Sequence, residues 1–269
     1  MDLSRMIIKR GTPVYGLIVT IKHYGKGIKK IIDNIDRAAL DILFVNYHHT
    51  SDNKFKLLVY FSVERKAILD KIVYDIKQYG FVEDVKILQP KIPGFLIDTE
   101  SFPLRLGLKQ RAIVIGDIIY RGLLTESRKK FGNIVEALLF YLGYFGGEEA
   151  AKSDLELGST LGIKDPKIVL SAISAPLFKA LGYCSIELVK LDPNGTSIIR
   201  VYDSFECEIG KPSDKPFSHL LRGFIAGLFS GLFKAKYTAK EIMCIAKGDP
   251  YCEFVITKVG VKEARAFPV

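Results

Sequence analysis

Tryptophan is absent from the 269 residues, and only four cysteines and three methionines are present. Four scattered cysteines do not make a disulfide framework, and no basic region followed by an apolar run opens the sequence. Together these features predict a cytoplasmic chain with reduced thiols, free or metal-binding. Long hydrophobic runs are also missing. The longest apolar helix candidate, about 223–233, falls short of the roughly 20 residues of a membrane span and is flanked by His219 and Arg222. A buried core helix is expected there, with no membrane association. Blocks of one charge are missing too. The net charge of +9 comes from lysines and arginines interspersed with acids, and the nearest approach to a cluster is Lys26 to Lys30. That pattern predicts a solvated basic surface and no direct nucleic-acid binding. There is no G-x-G-x-x-G after a strand, no P-loop and no nucleophile elbow, so no nucleotide cofactor is expected. An absent tryptophan and little glutamine, beside abundant isoleucine, lysine and glutamate, fit a thermophile.

With 48% hydrophobic and 26% charged residues, the composition is that of a folded chain of one large domain or two ordinary ones. The β-branched run Val14 to His23 predicts a strand, and Ile28, Ile31, Ile32 and Ile35 recur at helical spacing after Gly25 and Gly27. Two further strands, 42–47 and 54–63, flank a polar turn containing His48 and His49, read as turn residues. A second helix over 64–80 is expected to bury Ile68, Ile72, Tyr74 and Ile76 and to stop at Gly80. A fourth strand, 82–88, completes a ferredoxin-like βαββαβ unit over 1–90. Pro90, Pro93, Gly94 and Pro103 mark a linker over 91–108, which leaves a second domain over 109–269. The overall class is α+β.

In the second domain, 111–115 predicts a short strand and 117–130 a helix. A longer helix over 133–157 is expected to bury Ile134, Leu138, Leu142 and Phe145. Phe140, Tyr141 and Tyr144 widen its apolar stripe, and Gly143, Gly146 and Gly147 interrupt it. Asp165-Pro166 starts another helix, kinked at Pro176. Strands 183–191 and 197–202 enclose Asp192-Pro-Asn-Gly195, whose Asn-Gly pair is expected to supply a positive φ. Ser218 is the expected N-cap of a helix in which Gly223, Gly227 and Gly231 line one side. Such a ridge without side chains admits another backbone, in this chain or across a dimer, or leaves room for a ligand. Phe140, Tyr144, Phe224 and Leu228 are the candidate pocket residues.

The last hairpin, over 237–257, concentrates the most chemistry: Glu241, Cys244 and Cys252 lie within a dozen positions of one another. Two thiolates and a carboxylate suit zinc, which takes four ligands. Residues three apart on a regular strand face opposite ways, so Glu241 and Cys244 share an ion only across a bulge or a strand end. Two buried cysteines packing as small apolar groups, or a cross-strand disulfide, are the other readings of the same pair.

Residues 111–258 resemble the 4-vinyl-reductase-type family of small-molecule-binding domains, which has a TRAPP-subunit-like α/β fold. The residues that carry the resemblance are Arg222-Gly-Phe-Ile-Ala-Gly-Leu-Phe-Ser230 and Glu241-x-x-Cys244-Ile-Ala-Lys-Gly-Asp-Pro-Tyr-Cys252-Glu-Phe254. The resemblance implies an antiparallel sheet with packed helices and, as in the family's phenol-responsive sensors, a zinc ion held by one Glu and three Cys. Glu241, Cys244 and Cys252 match three of those positions. The remaining cysteine is replaced by Ser218, so His219 or, alternatively, Cys207 completes the set, or the site is empty. Over 13–90, the glycine-containing first turn followed by Gly27-Ile28-x-x-Ile31 resembles an ACT-type regulatory domain. That resemblance implies pairing and an amino-acid effector near the first loop, the alternative being a dimerisation module without a ligand. The expected function is a homodimeric sensory or regulatory protein that binds a small hydrophobic or aromatic molecule and signals through its N-terminal domain. A reductase or an auxiliary subunit of one, with a cofactor from elsewhere, is the enzymatic alternative, and a ligand-free dimeric scaffold is the third.

Overall fold

Apolar alternation along Val14–Ile21 places side chains on both faces of one strand, and both faces are covered. The structure, a computed structural model, describes residues 5–22, 26–38, 40–50, 54–106 and 110–260. Gly25 and residues 51–53 of the polar turn lie outside them. The chain divides into two compact units, Met1–Val114 and Ile115–Val269. In the first, β1 (Met6–Ile8) is followed by β2 (Val14–Ile21), α1 (Lys26–Arg37), β3 (Asp41–His49), β4 (Phe55–Ser62), α2 (Lys66–Lys77), β5 (Val82–Leu88) and β6 (Phe95–Ile97). The antiparallel order β3-β4-β2-β5 is the ferredoxin-like arrangement, and the unit is ACT-like in fold. Leu17, Val19 and Ile21 on one face of β2 pack with Ile31 and Ile35 of α1 and with Leu69, Ile72, Val73 and Ile76 of α2. Val14 and Ile18 on the other face pack with Leu58, Tyr60, Leu88 and Leu96.

Some local expectations are corrected. Tyr74 is exposed, because Leu69 and Val73 take the buried side of α2. Gln78, in the αR region, ends α2 ahead of Gly80. His48 and His49 belong to β3, paired with Lys56 and Phe55. The stretch read as a linker carries β6, which pairs with β1, and β7 (Arg105–Leu106), which pairs with β8 (Gln110–Arg111). No strand extends over 112–115.

The second unit begins with α3 (Asp117–Arg121), a π turn over Gly122–Glu126 and α4 (Ser127–Phe131), followed by α5 (Asn133–Thr160). Next come α6 (Pro166–Val169), a π turn over Leu170–Ser174 and α7 (Ala175–Ala180). The π turn falls immediately before Pro176 and absorbs the missing N–H, so a widened turn takes the place of the expected simple kink. Strands β9 (Ser185–Lys190) and β10 (Thr196–Tyr202), helices α8 (Phe205–Gly210) and α9 (His219–Phe233), and strands β11 (Tyr237–Met243) and β12 (Cys252–Lys258) complete it. The sheet order is β11-β12-β10-β9, antiparallel throughout. In the β9–β10 turn the Asp192 carboxylate accepts from Gly195 N at 3.1 Å, and neither Asn194 nor Gly195 takes a positive φ.

Period-two alternation puts Ile199 and Val201 of β10, Tyr237 and Ala239 of β11, and Phe254 and Ile256 of β12 on the inner face. They meet Ile225, Leu228, Phe229 and Leu232 of α9. The far side of α9 lies on α5 at backbone contact. A Cβ at Gly223 or Gly227 would fall 1.9 Å from the carbonyl oxygen of Phe140 or Tyr144. One at Gly143 or Gly147 would fall 2.0 or 2.2 Å from that of Leu220 or Phe224. The glycine ridge therefore serves intrachain helix packing, and the glycines of α5 reciprocate it. This contact also reverses the expected polarity of α5. Val135, Leu139, Phe140 and Ala151 are buried with its glycines, whereas Ile134, Leu138, Leu142 and Phe145 are exposed. Replacement Gly227→Ala has no shift available except separation of two backbones, and should cost about 3 kcal/mol of unfolding free energy in urea titrations. The exposed Gly182→Ala variant, strained only by its positive φ, should lose about 1 kcal/mol.

Candidate functional site

Alternation along β11 brings Glu241 to the same inner face as Tyr237 and Ala239. One extra residue then intervenes. Glu241 pairs with Phe254 and Met243 with Glu253, so Ile242 is bulged outward at 45% exposure. The bulge resets the phase, and Cys244, ending the strand, faces inward beside Glu241. Cys252 starts β12 on the same face. Between them Gly248 takes φ +97°, and the Asp249 carboxylate accepts from Cys244 N at 2.7 Å, closing a tight knuckle. Ile245 N points at Cys252 Sγ from 3.4 Å, the orientation that stabilises charge on sulfur.

The fourth donor is Cys207 of α8. Its Sγ lies 3.5 Å from Cys244 Sγ, 3.6 Å from Cys252 Sγ and 3.9 Å from Glu241 Oε1. Donor atoms of all four residues fall within 4.8 Å of one another, and all four residues are buried. These cysteines are free, which removes the disulfide reading. A tetrahedron with metal–sulfur bonds of about 2.3 Å has edges of about 3.8 Å, so the donors already sit near coordination spacing. The donor chemistry fits equally well. Burial and the neighbouring Cys244 raise the Glu241 carboxyl to about 8. Hydrogen bonds from Cys207 and Cys252 hold Cys244 well below the ordinary thiol range, while Cys207 is pushed up, chiefly by its bond to Cys244. Four acidic groups in one buried site oppose one another's ionisation, and a divalent cation relieves that opposition.

His219 stands outside this cluster. Its Nε2 is 3.6 Å from Glu136 Oε2, and its Nδ1 is 3.5 Å from Arg222 Nη2. Ser218, the expected N-cap, makes no capping bond with its side chain. Its hydroxyl contacts Cys207 Sγ at 2.7 Å and donates to Glu241 Oε1 at 2.9 Å, and its N–H donates to Glu241 Oε2 at 3.2 Å. Capping falls to Glu206, next to Cys207 in the chain, whose two oxygens accept from Leu220 N at 3.1 Å and Leu221 N at 2.8 Å. Arg128 then pairs with Glu206 at 2.7 Å, donates to Phe217 O at 3.0 Å and stacks on the Phe217 ring at 3.8 Å. Burial pushes the Glu206 carboxyl up, and the two amides and Arg128 pull it down. Neither residue was singled out from the sequence. Glu206 sits in a short acidic helix and Arg128 in an ordinary basic run, and only the chain fold joins them.

The candidate pocket residues are packed against their surroundings. Phe140 and Leu228 are buried, Phe140 lies 6.3 Å from Tyr144, and Phe224 meets Phe178 edge-on at 5.0 Å. The Tyr144 hydroxyl bonds to Ser230 Oγ at 2.9 Å, and Arg222 stacks over Phe140 at 4.8 Å. The hollow of about 520 Å³ in this unit is lined elsewhere, by Pro212, Ser213, Asp214 and Lys215. Among the described residues, no helix is long and apolar enough to cross a membrane.

Residues 197–258, a stretch that supplies all four donors, match the family model of the 4-vinyl-reductase (vinyl-4-reductase) domain. The C-terminal unit therefore carries a domain of the 4-vinyl-reductase type. An uncharacterized protein of Methanocaldococcus jannaschii is 28% identical over 146 residues, covering 54% of this chain and 80% of its own. The phenol-responsive sensory domain of the transcription activator PoxR, solved with phenol, overlays with a TM-score of 0.52 at 18% identity. The overlay covers 59% of this chain and 82% of that one, and it shows a shared fold. The ACT domain from GTP pyrophosphokinase of Chlorobium tepidum aligns with 29% of this chain and 99% of its own, at 14% identity and a TM-score of 0.26.

Removing Arg128 leaves Glu206 buried without its partner, and Arg128→Met should lower unfolding free energy by about 3 kcal/mol. Burial, opposed by Glu136 and reinforced by Arg222, pushes His219 down to about 4. The unfolded chain protonates this imidazole near pH 6.5 and the fold does not, so stability falls as pH drops from 6.5 towards 4. Urea midpoints at pH 7 and pH 5 should differ less in His219→Asn than in the unmodified protein.

Proposed function

We propose that the chain is a cytoplasmic sensory or regulatory protein whose C-terminal unit takes up a small apolar or aromatic molecule, with zinc fastening the β11–β12 turn to α8 and the start of α9. The observation that supports this best is the buried cluster of Cys207, Glu241, Cys244 and Cys252, in a fold shared with a phenol-responsive sensory domain. Four protein donors fill the coordination of zinc and leave no position for a reacting water, so the ion would act as a cross-link. Ser218 would orient the Glu241 carboxylate, and the Ile245 amide would support the Cys252 thiolate. A guest would lodge by parting the ring contacts among Phe140, Tyr144, Phe178 and Phe224, with affinity mostly from burial of its apolar surface. Tyr144 and Arg222 are the polar groups nearest those rings. In the N-terminal ACT-like unit, pairing or an amino-acid effector would carry the output.

Native mass spectrometry of the purified protein should report one zinc per chain. Cys207→Ala and Cys244→Ala should lose it, and His219→Ala and Ser218→Ala should keep it. Metal-free protein after purification in zinc-supplemented medium would sink the zinc assignment. For the guest, phenol is the probe, and saturating phenol should raise the melting temperature of the zinc-loaded protein, with Phe224→Ala reducing the rise. A zinc-loaded protein that retains no small molecule and whose melting is unmoved by phenol and larger aromatic alcohols would overturn the sensor reading and leave the metal standing.

A further inference from the structure

Helix α5 is apolar on two sides, and only one of them is used within its own unit. Its buried side is held against α9 through Gly143 and Gly147. On the other, Ile134, Leu138, Leu142 and Phe145 are 77%, 54%, 54% and 58% exposed. Steps of four, four and three residues keep these side chains on one stripe. The same side continues as Glu149, Lys152 and Glu156, all exposed, so the apolar stripe ends after about three turns, or roughly 17 Å. The preceding helical segments are tied to α5 by Tyr120 and Leu124, which pack with Val135 and Leu139. Those segments expose Ile118, Ile119, Leu123 and Phe131 by 81%, 62%, 59% and 54%. At roughly 180 Å² per large apolar side chain, the eight residues offer about 900 Å², close to what one partner contributes to a stable interface. Ordinary monomer surfaces seldom carry that much.

Charge selects the occupant. Exposed Lys129 and Lys130 lie just before the N-terminal end of the stripe, whereas Glu148, Glu149 and Glu156 outnumber Lys152 at its C-terminal end. A second copy laid antiparallel by a two-fold axis brings each basic end onto the other's acidic end and opposes the two helix dipoles. A parallel copy sets like charges together. We propose that α5 pairs antiparallel with α5 of a second copy of this chain across this stripe. The pairing needs neither the metal nor the guest proposed above, and it is separate from any pairing of the first unit.

Sedimentation equilibrium of the full chain should show a dimer. Leu138→Glu with Leu142→Glu should weaken it by about 100-fold. Lys129→Glu with Lys130→Glu, or Glu149→Lys with Glu156→Lys, should each weaken it by about 10-fold, and the four changes together should restore it. The charge variants alter exposed residues only, so this restoration decides the matter even if the leucine variant fails to fold. A monomer up to about 100 µM, as expected if another part of the same chain covers the stripe, would overturn the proposal. So would a dimer indifferent to the leucine changes, which would locate pairing elsewhere, or charge reversals that fail to compensate.

Discussion

Helix α9 begins inside the protein, and that burial sets the terms for what surrounds it. The first N–H groups of a helix have no partners within it, and water normally supplies them. Here the glycine contact with α5 brings two backbones too close for α9 to lift its start towards solvent. Carboxylates from elsewhere in the chain must meet those amides. Glu206 takes Leu220 and Leu221, and Glu241 takes Ser218. Both glutamates are buried, and the positive end of the helix dipole favours them there.

The thiol cluster grows out of the same arrangement. Cys207 follows Glu206 in the chain and Cys244 follows Glu241 by three positions across a bulge, so the segments that cap the helix also deliver the sulfurs. Ser218 connects the two roles: its hydroxyl touches Cys207 and donates to Glu241. Loss of an ion from such a site would reach the helix start directly, because Glu241 serves both. The remaining cysteine, Cys184, is buried by itself, and burial pushes its thiol up to about 12, so it stays a packing group.

Much of the secondary structure was legible because period-two and period-3.6 patterns are local. The βαββαβ order and the last hairpin could be read directly, and so could the need for a bulge between Glu241 and Cys244, from strand geometry alone. Faces were harder. Ile134, Leu138, Leu142 and Phe145 form a better apolar stripe than the residues α5 buries, since the buried side is built around glycines that contribute no hydrophobicity to a pattern. Tyr74 misled in the same way, being apolar in composition and outward in fact. Cys207 ranked behind His219 because proximity in sequence to the expected position of the missing donor was the only guide.

By itself the sequence determined the ferredoxin-like unit, the hairpin with its carboxylate and two thiols, and the requirement that three glycines of one helix meet a backbone. Each follows from the conformational limits of short stretches. Tertiary structure alone decided which backbone that was, which side of α5 faces outward, and that the fourth donor comes from a helix thirty-four residues before Glu241. It also decided that Arg128 and Glu206, 78 residues apart, close the helix start. Such pairings depend on distances between segments, which no local pattern encodes, and on the demand that buried polar groups find partners wherever the fold brings them.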